Sequence, residues 1–473
     1  MNDTRTIIQS YAELGDPHIC SDFRDRRSIF AAIYEALVRR DPRTGEYIGS
    51  LAESWACAED ACTWTFQLRQ RVRFHNDDRL TAADAVASLQ RVCDPALGGE
   101  LGTQGVYLSY LDGARFEAVG LNTLRIVTAQ PLADLLDLLV DMPIVPRRVL
   151  AGLPGIAVGS GPYRLGQLGV GRLVLEAFDS YWGAAPTVKR LTWLAEADVA
   201  RRAERVLGGI ADIAANLNSL QVTRLTAAGL QCPQKLSGLC VIVMLNCAAG
   251  PCSDRRVRQA LNYATNVPAL IQDVLQGAAE PLNGPLTRLH YAYDPATPPY
   301  SHDPVLARQL LAEAGYPHGL KLTLNIPTTH PDESIELAQQ LAEQWAEAGI
   351  DLLVATHPDR PAYADMVRAK QIGDACLFDS SPLSSVRVLH EKIHSGRRGP
   401  WWQGYQNPDV DALIDQAGAT IDHEHRQMIY RQAYRRIRDD APWVFLYSPL
   451  LSYGLGQNAA NWKPGRDGLI RFS

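Results

Sequence analysis

His390, Glu391 and His394 stand in the order H-E-x-x-H within "VLHEKIHSG" (388–396). On a helix this spacing sets two imidazoles one turn apart on one face with a carboxylate beside them, the pattern with which zinc peptidases hold metal and activate water. A peptidase also needs a third ligand and an open coordination position. The extended form of the pattern fails, because Arg397 stands where a glycine belongs. The downstream carboxylates Asp409 and Asp411 lie in "NPDVDALID", which reads as an ordinary helix start with Asn407 as N-cap and Pro408 at the first helical position. The balance favours a solvated or cleft-edge helix, with no metal and no cofactor. "DHEHRQ" (422–427) reads likewise as an exposed helix start.

A nucleophile is equally hard to find. No G-x-S-x-G elbow occurs, and "GSGPYRL" (159–165) lacks the basic residue of a phosphate loop, so its glycines read as serving a tight turn. The expectation is a protein that is not an enzyme.

The elements around these residues follow from hydrophobic periodicity. "TRTIIQSY" (4–11) reads as a strand, "RSIFAAIYEALVRR" (27–40) as a helix with Phe30, Ile33, Tyr34 and Leu37 on one face, and "CTWTFQLRQRVRFH" (62–75) as a strand with Trp64, Phe66, Leu68, Val72 and Phe74 on its buried side. Thr81 caps a helix over 80–92 with Asp84 three residues on, a capping box. "SHDPVLARQLLAEAGY" (301–316) and "ESIELAQQLAEQWAEAGI" (333–350) are amphipathic helices that end at Gly315 and Gly349, each followed by an apolar strand. Helix then strand, twice over, indicates an α/β layered body.

At 473 residues the chain exceeds one core, and its 46% hydrophobic and 21% charged residues are those of a globular protein of two or three domains. A net charge of -6 with both signs scattered argues against nucleic acid or an anionic membrane as partner. The longest apolar run, "PLADLLDLLVDMPIVP" (131–146), is too short to span a bilayer and carries Asp134, Asp137 and Asp141, so it reads as a buried helix and loop. The first residues show no secretory signal. Nine cysteines, among them the neighbours Cys57 and Cys62, Cys232 and Cys240, and Cys247 and Cys252, fit short disulfides or buried thiols; Cys20, Cys93 and Cys376 stand singly.

Several stretches then fall in a recognisable order: "IYEALVRRDPRTGEYIGSLAESW" (33–55), "WTFQLRQRVRFHNDDRLTAADAVASLQR" (64–91), "VGSGPYRL" (158–165), "FDSYWGAAP" (178–186), "GGIADIAANL" (208–217), "RRVRQALNYATN" (255–266), "HDPVLARQLLAEAGYPHGLKL" (302–322), "YQNPDVDALIDQA" (405–417) and "APWVFLY" (441–447). Over nearly the whole chain this resembles the dipeptide/oligopeptide/nickel cluster of ABC-transporter solute-binding proteins. Two features depart from the pattern: the turn before the Thr81 helix, which usually carries a glycine, has Asp77 and Asp78, and Asn266 stands for a usual aspartate.

The resemblance implies an α/β fold of the periplasmic-binding-protein type II-like class, two lobes joined by a hinge, in the cluster-C architecture with an extra inserted domain. Residues 1–45, 158–240 and 445–473 would form domain I, 46–157 the inserted domain II, and 241–444 domain III. A monomer outside the cytoplasm, in the periplasm, would hold ligand between domains I and III and deliver it to an ABC permease in the membrane.

In peptide-binding members an aspartate following an aromatic pairs with the ligand's α-ammonium group. Asp379 is the positional match, with Phe378 before it, although Ser380, Ser381, Ser384 and Ser385 replace the family's further aspartates and prolines. The alternative is that Asp379 caps the helix leading to Arg387. "RRGPWWQGYQNP" (397–408) places Trp401, Trp402 and Tyr405 on a Gly/Pro loop, where one tryptophan is expected to wall the ligand cleft, against packing within domain III. Arg387, Arg397 and Arg398 are candidates to clamp a carboxylate. Arg24, in the loop "CSDFRDRRS" (20–28), and Asn246, after "VIVML", are candidates by position.

The leading expectation is a binding protein for a small peptide or peptide-like amine. The alternatives are a cytoplasmic ligand-sensing module, for which no helix-turn-helix segment is present, a zinc hydrolase, and a binding protein for a metal chelate, an opine-like conjugate or a sugar.

Overall fold

The structure, a computed structural model, describes residues 3–19, 24–100, 105–329 and 331–472. Cys20 lies outside them. Packing resolves two compact units, Met1–Lys235 with Leu451–Ser473, and Leu236–Leu450.

In the first unit the strand Thr4–Gln9 lies within a six-stranded sheet, parallel to Arg190–Ala195 on one side and to Ile213–Ala214 on the other. Arg172–Ala177, Tyr163–Gly169 and Gly454–Leu455 extend it antiparallel. Alternation along Thr4–Gln9 feeds two cores: Ile7 joins Ile29, Phe30, Trp193 and Tyr163, and Ile8 joins Ala203, Val206 and Leu225. The sheet is therefore covered on both faces, as an α/β layer requires.

The strand Thr63–Leu68 buries Trp64, Phe66 and Leu68 and lies in a four-stranded antiparallel sheet with Ala52–Cys57, Thr123–Val127 and Arg115–Ala118. The helix Ala82–Val92 starts as its capping box dictates, with the Thr81 N–H donating to Asp84 Oδ2 at 2.9 Å. Asp77, where a glycine is usual, adopts φ +67° in the turn before that helix; an aspartate tolerates this left-handed conformation better than most residues. Within the run 131–146, Leu135–Leu139 is helical, and buried Asp137 accepts a hydrogen bond from Tyr47 Oη at 2.6 Å and pairs with Arg40.

Two expectations need correction here. The helix read over 27–40 spans Arg24–Ile33 instead, and Val38–Arg40 is a strand paired with Tyr47–Gly49. The apolar spacing continues past Ile33, but distant partners take the backbone: Gly161 N–H donates to Ile33 O at 2.9 Å and Ile144 N–H to Glu35 O at 2.9 Å. Such long-range hydrogen bonds outweigh local propensity. The glycines of "VGSGPY" serve close approach rather than a tight turn, since a Cβ on Gly159 would lie 2.0 Å from Ile33 O and one on Gly161 2.6 Å from Ala32 O.

The second unit is built on a seven-stranded sheet in the order Gln234–Leu236, Trp443–Ser452, Cys240–Leu245, Ala375–Ser380, Leu320–Pro327, Ile350–His357, with Ala279–Pro281 on the far side of Trp443–Ser452. Every residue of Cys240–Leu245 is buried, as expected of a strand covered on both faces. Its odd positions meet Leu324, Leu341 and Trp345; its even positions meet Phe378, Trp401 and Tyr434. The helices Pro304–Glu313 and Ser334–Glu347 end before Gly315 (φ +97°) and Gly349 (φ +81°), the left-handed positions that only glycine takes without strain. Asn266 caps the helix Val267–Asp273 by accepting from the Ala269 N–H at 3.1 Å, so it keeps the capping role an aspartate would fill.

Seven of the described cysteines, Cys62, Cys93, Cys232, Cys240, Cys247, Cys252 and Cys376, are free thiols. No helix among the described residues is long and apolar enough to cross a membrane.

Candidate ligand-binding site

Asp379 lies in the last turn of side-chain alternation along the strand Ala375–Ser380, opposite Val241 on the neighbouring strand. The helix that follows, Ser385–Lys392, is capped by Ser384, whose Oγ accepts from the Arg387 N–H at 3.1 Å. Asp379 is therefore not the cap. Its partner is Arg360, at the first position of the helix Arg360–Arg368, with Nη2 donating to Oδ1 at 2.8 Å.

Aromatic rings seat that arginine. The Arg360 guanidinium carbon stands 5.1 Å from the Phe378 ring centre and 5.6 Å from that of Tyr363, within cation–π range. Tyr363 is fixed in turn, its hydroxyl donating to Leu377 O at 2.6 Å. Phe378 packs on Trp401 with ring centres 5.0 Å apart, and Arg368 covers Trp401 at 5.3 Å. Trp401, from the loop after the next helix, thus backs the Phe378 ring that seats Arg360 beside Asp379.

The other candidate side chains that the structure describes are engaged within the protein. Trp401, 5% exposed, belongs to the core; Trp402 is half-buried and donates its indole N–H to Tyr405 O at 2.7 Å. Tyr405 is buried, with its hydroxyl on Asp440 Oδ2 at 2.7 Å. Arg387 is buried and donates from Nε to Glu391 Oε1 at 2.9 Å, one turn along its own helix. Arg397 lies 3.8 Å from Asp415, and Arg398 covers the Trp402 ring at 5.6 Å. Asn246 donates to Gly373 O at 2.8 Å and accepts from Ala248 N–H. Arg24 opens the helix Arg24–Ile33, not a loop, and its side chain lies outside the described residues.

The H-E-x-x-H helix is not solvated. Every residue of Ser385–Lys392 is buried, as is His394. Nδ1 of His394 accepts from the N–H groups of Gly396 and Arg397 at 3.1 and 3.2 Å, which leaves Nε2 protonated toward Asp415 Oδ1 at 3.2 Å. Neither ring nitrogen keeps a lone pair for a metal. Burial, aided by the nearby Arg397, pushes the His390 imidazole down to about 3. Among the described residues no group of three or more His, Cys, Asp or Glu is placed to hold a metal ion.

Sequence reasoning missed Arg360. It had no motif to announce it, and only the fold brings the start of its helix to the end of the Asp379 strand.

Against this geometry stand the relatives of the chain. The model of bacterial extracellular solute-binding proteins, family 5 Middle, matches residues 46–379. Heme-binding protein A of Haemophilus influenzae is 26% identical, covering 94% of this chain and 86% of its own. Glutathione-binding protein GsiB of Escherichia coli is 27% identical, covering 91% and 85%. The solved structure of the periplasmic binding protein DppA from Helicobacter pylori with the peptide STSA superposes with a TM-score of 0.80 at 21% identity, covering 99% of this chain and 98% of that one. The fold is thus the mixed α/β periplasmic-binding-protein fold of the cluster-C type.

Proposed function

The chain belongs to the bacterial extracellular solute-binding proteins, family 5, and from that membership we propose that it captures a small peptide or peptide-like amine in the periplasm and delivers it to its ABC permease. The family is one of non-enzymatic solute-binding proteins of ABC importers, which argues against both the zinc hydrolase and the cytoplasmic sensing module.

One observation carries the choice of ligand. Asp379 presents a carboxylate at a strand end with Oδ1 alone hydrogen-bonded among the described residues, a position where it can meet an ammonium group. The peptide in the DppA complex and the glutathione in the name of GsiB agree with an amine-bearing peptide. In the same reading residues 46–157, which carry the four-stranded sheet, form an inserted domain II, 1–45, 158–240 and 445–473 form domain I, and 241–444 domain III.

Native mass spectrometry of freshly purified protein should reveal a co-purified amine of peptide size. Calorimetry then compares tri-alanine with its N-acetylated form on wild type and Asp379→Asn. Asp379 keeps Arg360 as counter-charge when the ammonium is gone, so the contact is worth about 1.5–3 kcal/mol, and acetylation and substitution should each weaken binding about tenfold or more and together little more. Strict additivity in that cycle would remove Asp379 from the site.

A further inference from the structure

Arg360 and Asp379 form an ion pair whose outer atoms are unused. Beyond the 2.8 Å bond from Nη2 to Oδ1, neither Nη1 nor Oδ2 makes a hydrogen bond among the described residues. The two side chains keep 16% and 22% of their exposure. Arg360 Nε, in contrast, is fully enclosed without a partner, and the guanidinium is held over Phe378 and Tyr363. An arginine so seated is a fixed part of the site.

That has a consequence for what the site recognises. A bare ammonium approaching Asp379 meets a neutral pair with a like charge close by, so its attraction is weakened. A group carrying both signs on adjacent atoms meets no such conflict. Its ammonium can sit against Oδ2 while its carboxylate takes a donor of the planar guanidinium fork.

We propose that Arg360 and Asp379 together form a subsite for an α-amino-acid headgroup, an ammonium and a carboxylate on one carbon, and that Arg360 is a specificity-determining residue. This rests on the reading of Asp379 as a ligand contact. γ-Glutamyl peptides and opine-type conjugates carry such a headgroup. The N-terminus of an α-linked peptide sets an amide beside its ammonium and leaves Arg360 without an anion.

Glutathione and its α-linked isomer, equal in composition and net charge, isolate the headgroup. Calorimetry under reducing conditions on wild type, Arg360→Gln and Asp379→Asn should show glutathione binding wild type at least about tenfold more tightly than the isomer, a difference of about 1.4 kcal/mol. Arg360→Gln should level the two, and Asp379→Asn should weaken both. Arg360→Lys, which keeps the charge without the planar fork, should lower the preference and serves if the glutamine variant does not fold. Equal binding of the isomers to wild type, with Asp379→Asn weakening both, overturns the subsite and leaves the Asp379 reading standing. An undiminished preference in Arg360→Gln or Arg360→Lys also overturns it. If neither isomer binds wild type or Arg360→Gln, the amine reading falls and the subsite with it.

Discussion

His394 and Asp415 are joined at 3.2 Å, the imidazole Nε2–H pointing at the carboxylate while Nδ1 closes the chain turn onto Gly396 and Arg397. The histidine that most resembles a zinc ligand is a structural pin for the end of its helix. His394→Ala leaves two backbone N–H groups without their acceptor, which costs about 1–3 kcal/mol. Urea unfolding should show that loss, while metal analysis of wild type returns no stoichiometric zinc. One zinc per chain, lost in His394→Ala, would refute this.

Arg387 and Glu391 make a second test of the same helix. They are 9% and 5% exposed as side chains, and stand one turn apart at 2.9 Å. Removing one partner strands the other charge in a poorly solvated place, at about 3–5 kcal/mol, whereas replacing both with apolar residues is far milder. Arg387→Met, which leaves the Glu391 carboxylate behind, should therefore be more destabilising than the double variant Arg387→Met/Glu391→Leu. Equal midpoints for the two would mean that water reaches the pair.

How much of this was legible in advance depended on the range of the interactions involved. Trp64, Phe66 and Leu68 alternate on a strand whose burial follows from period two, and Thr81 with Asp84, or Asn407 with Pro408, announce helix starts through contacts a few residues long. Family order along the chain carried the rest of the fold. The early end of the helix at Ile33 was not legible, because Gly161 and Ile144, more than a hundred residues on, take the backbone that would have continued it. The burial of the H-E-x-x-H helix was hidden for the same reason: Asp411 and Asp415, which receive Ser395 and His394, sit on another helix. Asp379 was found by position, Arg360 only by packing.

Glu35 predicts a pH response. Its carboxylate accepts from Ser160 Oγ at 2.9 Å, Tyr181 Oη at 2.9 Å and Trp182 Nε1 at 2.7 Å, which ties "VGSGPY" and "FDSYWG" to the chain after the first helix. Burial nevertheless pushes its acid up to about 7, against the lowering pull of those donors. A carboxyl whose folded value lies above its ordinary 4.5 binds more protons folded than unfolded. Its stabilising contribution is complete below 4.5 and is lost as pH rises to about 7. Buried His18 and His75, both pushed down to about 4, act in the opposite sense as pH falls below 6.5, so total stability hides the effect. The difference between wild type and Glu35→Gln, followed by chemical denaturation across this window, should decline with rising pH. A flat difference would mean that Glu35 titrates alike in both states.

The paired tryptophans separate a core role from a ligand role. Trp401 is 5% exposed, packed on Phe378 and covered by Arg368, whereas Trp402 is half-buried with one hydrogen bond, to Tyr405 O. Truncating a buried aromatic removes its transfer free energy and leaves a cavity, so Trp401→Ala should cost about 3–5 kcal/mol. Trp402→Ala gives up the indole bond and some packing, about 1 kcal/mol. The Trp401 cavity also loosens the ring on which Arg360 sits, so Trp401→Ala should weaken ligand binding as well, and Trp401→Phe, which refills most of the space, should restore stability and affinity together. If stability returns and affinity does not, the indole itself touches ligand. If Trp402→Ala instead abolishes binding at unchanged stability, the ligand lies against Trp402, on the loop rather than at the strand end of Asp379.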